Sequence, residues 1–218
     1  MSTPAVARAA TVEERAGLVR RGRWLAWATL AYNSLEGVIA IASGLVAGSV
    51  SLVGFGVDSF IELASGGAAL WRLHAEHDEA RRERAERTAH LAIGVSFLLL
   101  AAYVAYEAAR ALLGREAPSE SVAGIIIAAA SLVIMPLLAR AKRRVAAGLG
   151  SGALSADAMQ TDICAWLSAI LLGGLLLNAL LGWWWADPVA GLLMAPLIAR
   201  EGVEGVRGRP PCADGCHG

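Results

Sequence analysis

Residues 49–73 read SVSLVGFGVDSFIELASGGAALWRL. At about 1.5 Å per residue, such a run is long enough to cross roughly 30 Å of hydrocarbon as a helix. Apart from Arg72 at its end, its charges are Asp58 and Glu62. A soluble amphipathic helix would carry a broad charged face; here two acids sit on a cylinder of apolar and small residues. Working outward, five more segments have the same character: 24–47, 88–112, 122–139, 152–181 and 184–203. The chain is therefore predicted to be an all-α polytopic membrane protein with six transmembrane helices. A cytoplasmic segment (1–23) precedes the membrane domain (24–205), and a short Cys/His tail (206–218) follows it.

Composition agrees with this reading. Of 218 residues, 56% are hydrophobic and 24 more are glycine, against roughly 45–50% apolar in a soluble domain. Nineteen basic and nineteen acidic residues cancel, which excludes a strongly basic nucleic-acid binder. No nucleophile–base pair, phosphate loop or cofactor motif points to an enzyme. The positions of the basic residues set the orientation, because Lys and Arg of short loops collect on the cytoplasmic side. With the N-terminus inside, Arg8, Arg15, Arg20, Arg21 and Arg23 are cytoplasmic, as are Arg72, Arg81, Arg82, Arg84 and Arg87. Arg140, Lys142, Arg143, Arg144, Arg200, Arg207 and Arg209 join them, so that only Arg110 and Arg115 of the 19 lie outside. Both termini are thus expected in the cytoplasm, with Trp183–Trp185 at the outer interface. The first apolar segment is too long for a cleaved signal core, and it carries Asn33 and Glu36.

An ionised acid at the bilayer centre costs about 2.5–3.5 kcal/mol on insertion scales. Glu36, Asp58, Glu62, Asp157 and Asp162 all fall within the spans, so they are expected to face the bundle interior. Asp58 and Glu62 are four residues apart, on one helical face, roughly 14–20 Å deep. With no basic residue near the middle of any span, their expected partner is a cation. On the fifth span Asp157, Gln160 and Cys164 share a face, whereas Asp162 points about 160° away from the last two. Asp162 is expected to make a polar contact with a neighbouring helix, for example to Asn33 or Glu36 where one acid is protonated. Carboxylate, amide and sulfur around one point suit a divalent transition metal better than magnesium or calcium. The candidate ligands are Asp58, Glu62, Gln160 and Cys164. Asp157, Glu36, Asn33 and Asp162 are candidates for secondary or proton-relay roles.

Three stretches resemble the cation diffusion facilitator family of metal transporters. They are Asn33-Ser34-Leu35-Glu36-Gly37-Val38, the link Gly44 to Leu52, and Val57-Asp58-Ser59-Phe60-Ile61-Glu62. Ala156-Asp157-Ala158 and Trp185-Ala186-Asp187-Pro188-Val189-Ala190-Gly191 agree with the openings of that family's fifth and sixth helices. The resemblance implies six helices and a homodimer in the cell membrane, exporting zinc or a related divalent ion in exchange for protons. It also implies a central site of two acids on helix two, here Asp58 and Glu62, and a His-x-x-x-Asp pair on helix five. Alignment through Ala156-Asp157-Ala158 places Gln160 at the His and Cys164 at the Asp, two departures from the family pattern. The family often adds a cytoplasmic metal-binding domain after helix six; this chain is expected to be a member with the membrane domain alone.

The implied activity is proton-coupled export of a divalent ion of the zinc, cadmium, cobalt or iron class. The ion is substrate, with zinc foremost, and no tightly bound cofactor is expected. A different class, a non-transporting membrane metal sensor or metal-handling accessory, would use the same acids without cycling. Cys212, Cys216 and His217 offer a second, tail site for metal capture, and His74 and His77 a cytoplasmic metal-collecting patch. Gly44 and Gly48 form a small-residue contact motif, internal or dimeric.

Overall fold

The computed structural model of the chain describes residues 12–72, 79–150 and 152–207, so His74, His77, Cys212, Cys216 and His217 lie outside the described residues. Among the described residues there are six α-helices and no strand. They are α1 (Val12–Ala47), α2 (Val50–Arg72), α3 (Glu79–Gly114), α4 (Val122–Leu149), α5 (Gly152–Leu181) and α6 (Ala186–Arg207). α1 packs on α2 and α4, α4 on α5, α5 on α6, α6 on α3, and α3 on α2. The helices thus close a ring, and α2 also meets α5 and α6 across its middle.

A helix covers each predicted span, and four of the helices run beyond the predicted bounds at the ends where the basic residues gather. α1 begins at Val12 rather than near residue 24, α3 at Glu79 rather than 88, α4 continues from 139 to Leu149, and α6 from 203 to Arg207. Good helix formers such as Ala, Arg, Glu and Leu fill these extensions, so nothing stops the helix where the hydrocarbon does. The stops are local. Ser121 caps α4, accepting from the Gly124 N–H at 3.1 Å. Gly150 (φ +62) ends α4 in the left-handed conformation.

α1, α3, α4 and α5 are each long and apolar enough to cross a membrane unaided. α2 and α6 are diluted by serine, glycine and the charges Asp58, Glu62, Asp187, Arg200 and Glu201. Burial is inverted relative to a soluble protein: Val46, Leu113 and Leu180 point outward, whereas Asn33, Glu36, Ser59, Lys142 and Thr161 are fully buried. Trp183 and Trp185 stack at 5.0 Å beyond the end of α5, half-exposed as an interfacial pair should be.

Small residues allow the closest approaches. A Cβ on Gly44 would stand 2.9 Å from the Val53 nitrogen of α2, so this half of the Gly44/Gly48 motif is an internal contact. Gly48 (φ +68) instead makes the turn into α2. α3 and α6 cross just as tightly, since a Cβ on Gly94 would lie 2.6 Å from the Val206 nitrogen.

Candidate metal centre

α2 turns Asp58 and Glu62 inward together, 6% and 3% exposed, as their four-residue spacing predicts. α5 faces them with Thr161 and Cys164, both buried. Thr161 Oγ1 lies 3.2 Å from Glu62 Oε1 as a donor and 3.0 Å from the Asp157 carbonyl oxygen, its alternative acceptor. The Cys164 thiol stands between two acids, interacting with Glu62 and reaching Glu36 Oε2 at 4.0 Å. Gln160, one residue before Thr161, is half-buried.

Glu36 is the third carboxylate of this centre. Ser59 of α2 donates to its Oε2 at 2.8 Å, and Ser131 of α4 donates to its Oε1. The Tyr32 hydroxyl is 2.7 Å from Ser131 Oγ, which makes a chain of hydroxyls leading from α1 through α4 to the carboxylate. Asp58 has Glu62, Glu36 and, from α6, Glu201 as its electrostatic neighbours. Asn33, one turn before Glu36, is fully buried with neither amide atom hydrogen-bonded, and Glu62 Oε2 is likewise without a partner. Buried polar groups are rarely left so, and each such atom is a donor or acceptor available to something else. Among the described residues no three His, Cys, Asp or Glu side chains are drawn tightly enough together to enclose an ion. Like charges repel, and the hydroxyls of Ser59, Ser131 and Thr161 hold Glu36 and Glu62 in place.

Two expectations change here, for one reason: Asp162 meets a neighbouring helix through another partner, and a lysine comes near the acids without pairing with Asp58 or Glu62. The helical extension of α4 carries Lys142 back into the bundle, fully buried, where its ammonium pairs with Asp157 Oδ2 at 2.8 Å and donates to Thr161 Oγ1 at 2.9 Å. The acids therefore do have a protein cation beside them, and Asp157 is Lys142's partner. Arg143, on another face of the same extension, pairs with Asp162. Asp162 thus meets neither Asn33 nor Glu36: its direction away from Cys164 is as expected, and it takes an arginine at the half-exposed edge. Both lysine and arginine lie in the run that charge counting assigns to the cytoplasmic loop. Periodicity continued through residues 140–149 could have found them.

A further acid sits at the opposite end of α2, near Ser49. Asp187, buried at the start of α6, accepts from Ser49 Oγ at 2.6 Å, from Ser51 Oγ, and from the Val50 N–H at 3.1 Å. It thereby caps the N-terminus of a helix other than its own. Between α5 and α6 a cleft of about 420 Å³ is lined by Met159, Asp162, Trp166, Arg200 and Glu201.

Helices that expose apolar side chains and enclose carboxylates, a thiol and hydroxyls define a multi-pass membrane protein with a polar interior. Residues 26–207 match the cation efflux transmembrane domain, and the chain belongs to that family, in the cell membrane. It is similar to the cation-efflux pump FieF of Shewanella oneidensis, with 25% identity over 177 residues. That match covers 76% of this chain and 58% of the relative, so the chain spans little more than half the relative's length.

Proposed function

We propose that the protein exports a divalent transition-metal cation from the cytoplasm in exchange for protons, as a homodimer. The observation that carries this reading is that Glu36, Asp58, Glu62 and Cys164 are all buried in one interior, the Cys164 sulfur against Glu36 and Glu62, with unpaired atoms on Glu62 and Asn33. Among the described residues, three acids exceed the single buried cation beside them, Lys142. A divalent ion offsets that excess, and a nearly neutral loaded site is the least costly one to hold in a low-dielectric core.

Asp58, Glu62 and Cys164 are the proposed ligands, with Glu36 the fourth group to close on the ion and Gln160 at the rim. Sulfur with carboxylate favours zinc, cadmium, cobalt or iron over magnesium and calcium. The cleft between α5 and α6, which holds Glu201, is the proposed cytoplasmic access. Metal and protons compete for the same oxygens, so rocking of the helices around the site couples their opposite movements. The hydroxyl chain of Tyr32 and Ser131 gives Glu36 a path for its proton.

The test is Asp58→Ala in proteoliposomes under an imposed pH gradient. Metal-dependent proton flux is expected to vanish; flux at the native rate would remove Asp58 and this mechanism. Counterflow of radiolabelled zinc separates transport from binding without cycling, since a sensor exchanges nothing across the bilayer.

A further inference from the structure

Lys142 is fully buried, an expensive position for an ammonium unless it has partners. Asp157 at 2.8 Å would suffice as a salt bridge. The same ammonium nevertheless also binds Thr161, whose hydroxyl reaches Glu62, which places Nζ no more than about 6 Å from Glu62 Oε1. α4 and α5 thus deliver one fixed positive charge to the cytoplasmic edge of the carboxylate group. Arg143 cannot serve there, because it is half-exposed and engaged with Asp162.

We infer that Lys142 is a tethered counter-cation that stands in for the metal against Glu62 and Asp157 whenever the site is empty. The inference rests on the transport reading above. With metal on Glu62, the ion repels the ammonium and takes over its electrostatic role; Asp157, whose side chain is 15% exposed, retains it at the cytoplasmic edge. When the metal leaves, the ammonium is again the nearest cation, and the unloaded helices can reorient without an uncompensated carboxylate in the core. Lys142 is a positioning residue: it touches the ligand's neighbours and never the ion.

The consequence is a split between two transport modes. Net export requires the metal-free protein to return, whereas metal-for-metal exchange does not. Lys142→Met keeps the length of the side chain and removes the charge. In proteoliposomes it is expected to retain zinc-for-zinc exchange within about twofold of native and to lose net export about tenfold or more. In detergent its zinc affinity is expected to rise at least about tenfold, since a like charge less than a nanometre from the ion has gone. Lys142→Arg should recover part of net export. Exchange and export falling together in monodisperse Lys142→Met protein would overturn the inference, as would an unchanged zinc affinity. Absence of both fluxes from the native protein would instead overturn the transport reading, and this inference with it.

Discussion

Glu36→Gln tests whether α1 contributes to the metal centre. The substitution is nearly isosteric, and an amide oxygen can still accept from Ser59, while the Ser131 hydroxyl can rotate to accept from the new amide nitrogen. Stability should therefore change by less than about 1 kcal/mol. Binding should not be spared. An ion bonded to Cys164 at the usual zinc–sulfur length of about 2.3 Å lies within about 6 Å of Glu36 Oε2, itself 4.0 Å from that sulfur. At an effective dielectric of about 20, a divalent ion and a unit charge at that separation attract by about 5 kcal/mol. Roughly half of this is offset by the hydrogen bonds that the carboxylate must rearrange, leaving about 2–3 kcal/mol, or a 30-fold to 150-fold loss of zinc affinity. Calorimetric titration of zinc into the purified protein in detergent measures it. An affinity within threefold of native would refute the placement of Glu36 at the ion.

Four other outcomes follow from the packing. Asp187→Ala removes the acceptor of two buried hydroxyls and a part-buried N–H and should lower unfolding stability in detergent by about 3–5 kcal/mol, with Asp187→Asn losing less; equal melting temperatures would show that this cap contributes nothing. Cys164→Ser should reduce cadmium transport more than zinc transport, and an unchanged selectivity series would take the sulfur out of the site. Gly94→Leu drives a side chain into the Val206 and Gly202 backbone, so the yield of folded protein should collapse; normal expression would mean that α3 and α6 sit further apart. Arg143→Gln, at a pair whose side chains are 48% and 31% exposed, should alter stability by less than about 1 kcal/mol and leave flux intact, both measurable on the same preparations.

The segments that sequence describes well are those where a single period governs. Six apolar runs gave six helices, and the four-residue spacing of Asp58 and Glu62 placed both carboxylates inside. Glu36 was visible as a buried acid, but nothing in α1 alone tells that Ser59 of α2 and Ser131 of α4 would converge on it. The four-residue spacing to Cys164 and the family alignment both point to Gln160, yet its neighbour Thr161 meets Glu62, a difference of about 100° in direction. Lys142 was hidden by the rule that located the loops. Counting positive charge finds the cytoplasmic side, yet it treats every lysine near a helix end as solvated, and α4 rotates this one into the bundle. Asp187 could not be assigned from sequence, since its partners Ser49, Val50 and Ser51 lie more than a hundred residues earlier.

The outer ends of the helices are stitched to one another. Asp187 joins α6 to the start of α2, the Ser119 N–H donates to the Ala47 carbonyl at 2.8 Å, and Asn178 Nδ2 donates to the Pro118 carbonyl at 3.0 Å. Mechanically, the knot at Asp187 would act as a fulcrum for any tilt of α2. When α2 tilts about it, displacement grows with distance along the helix, so Glu62, roughly 16 Å from Ser51 at 1.5 Å per residue, travels farther than Asp58. The two carboxylates are therefore the short and long points of one lever. A small rotation about Asp187 would change the distance between Glu62 and Lys142, with Asp58 moving only about two-thirds as far as Glu62.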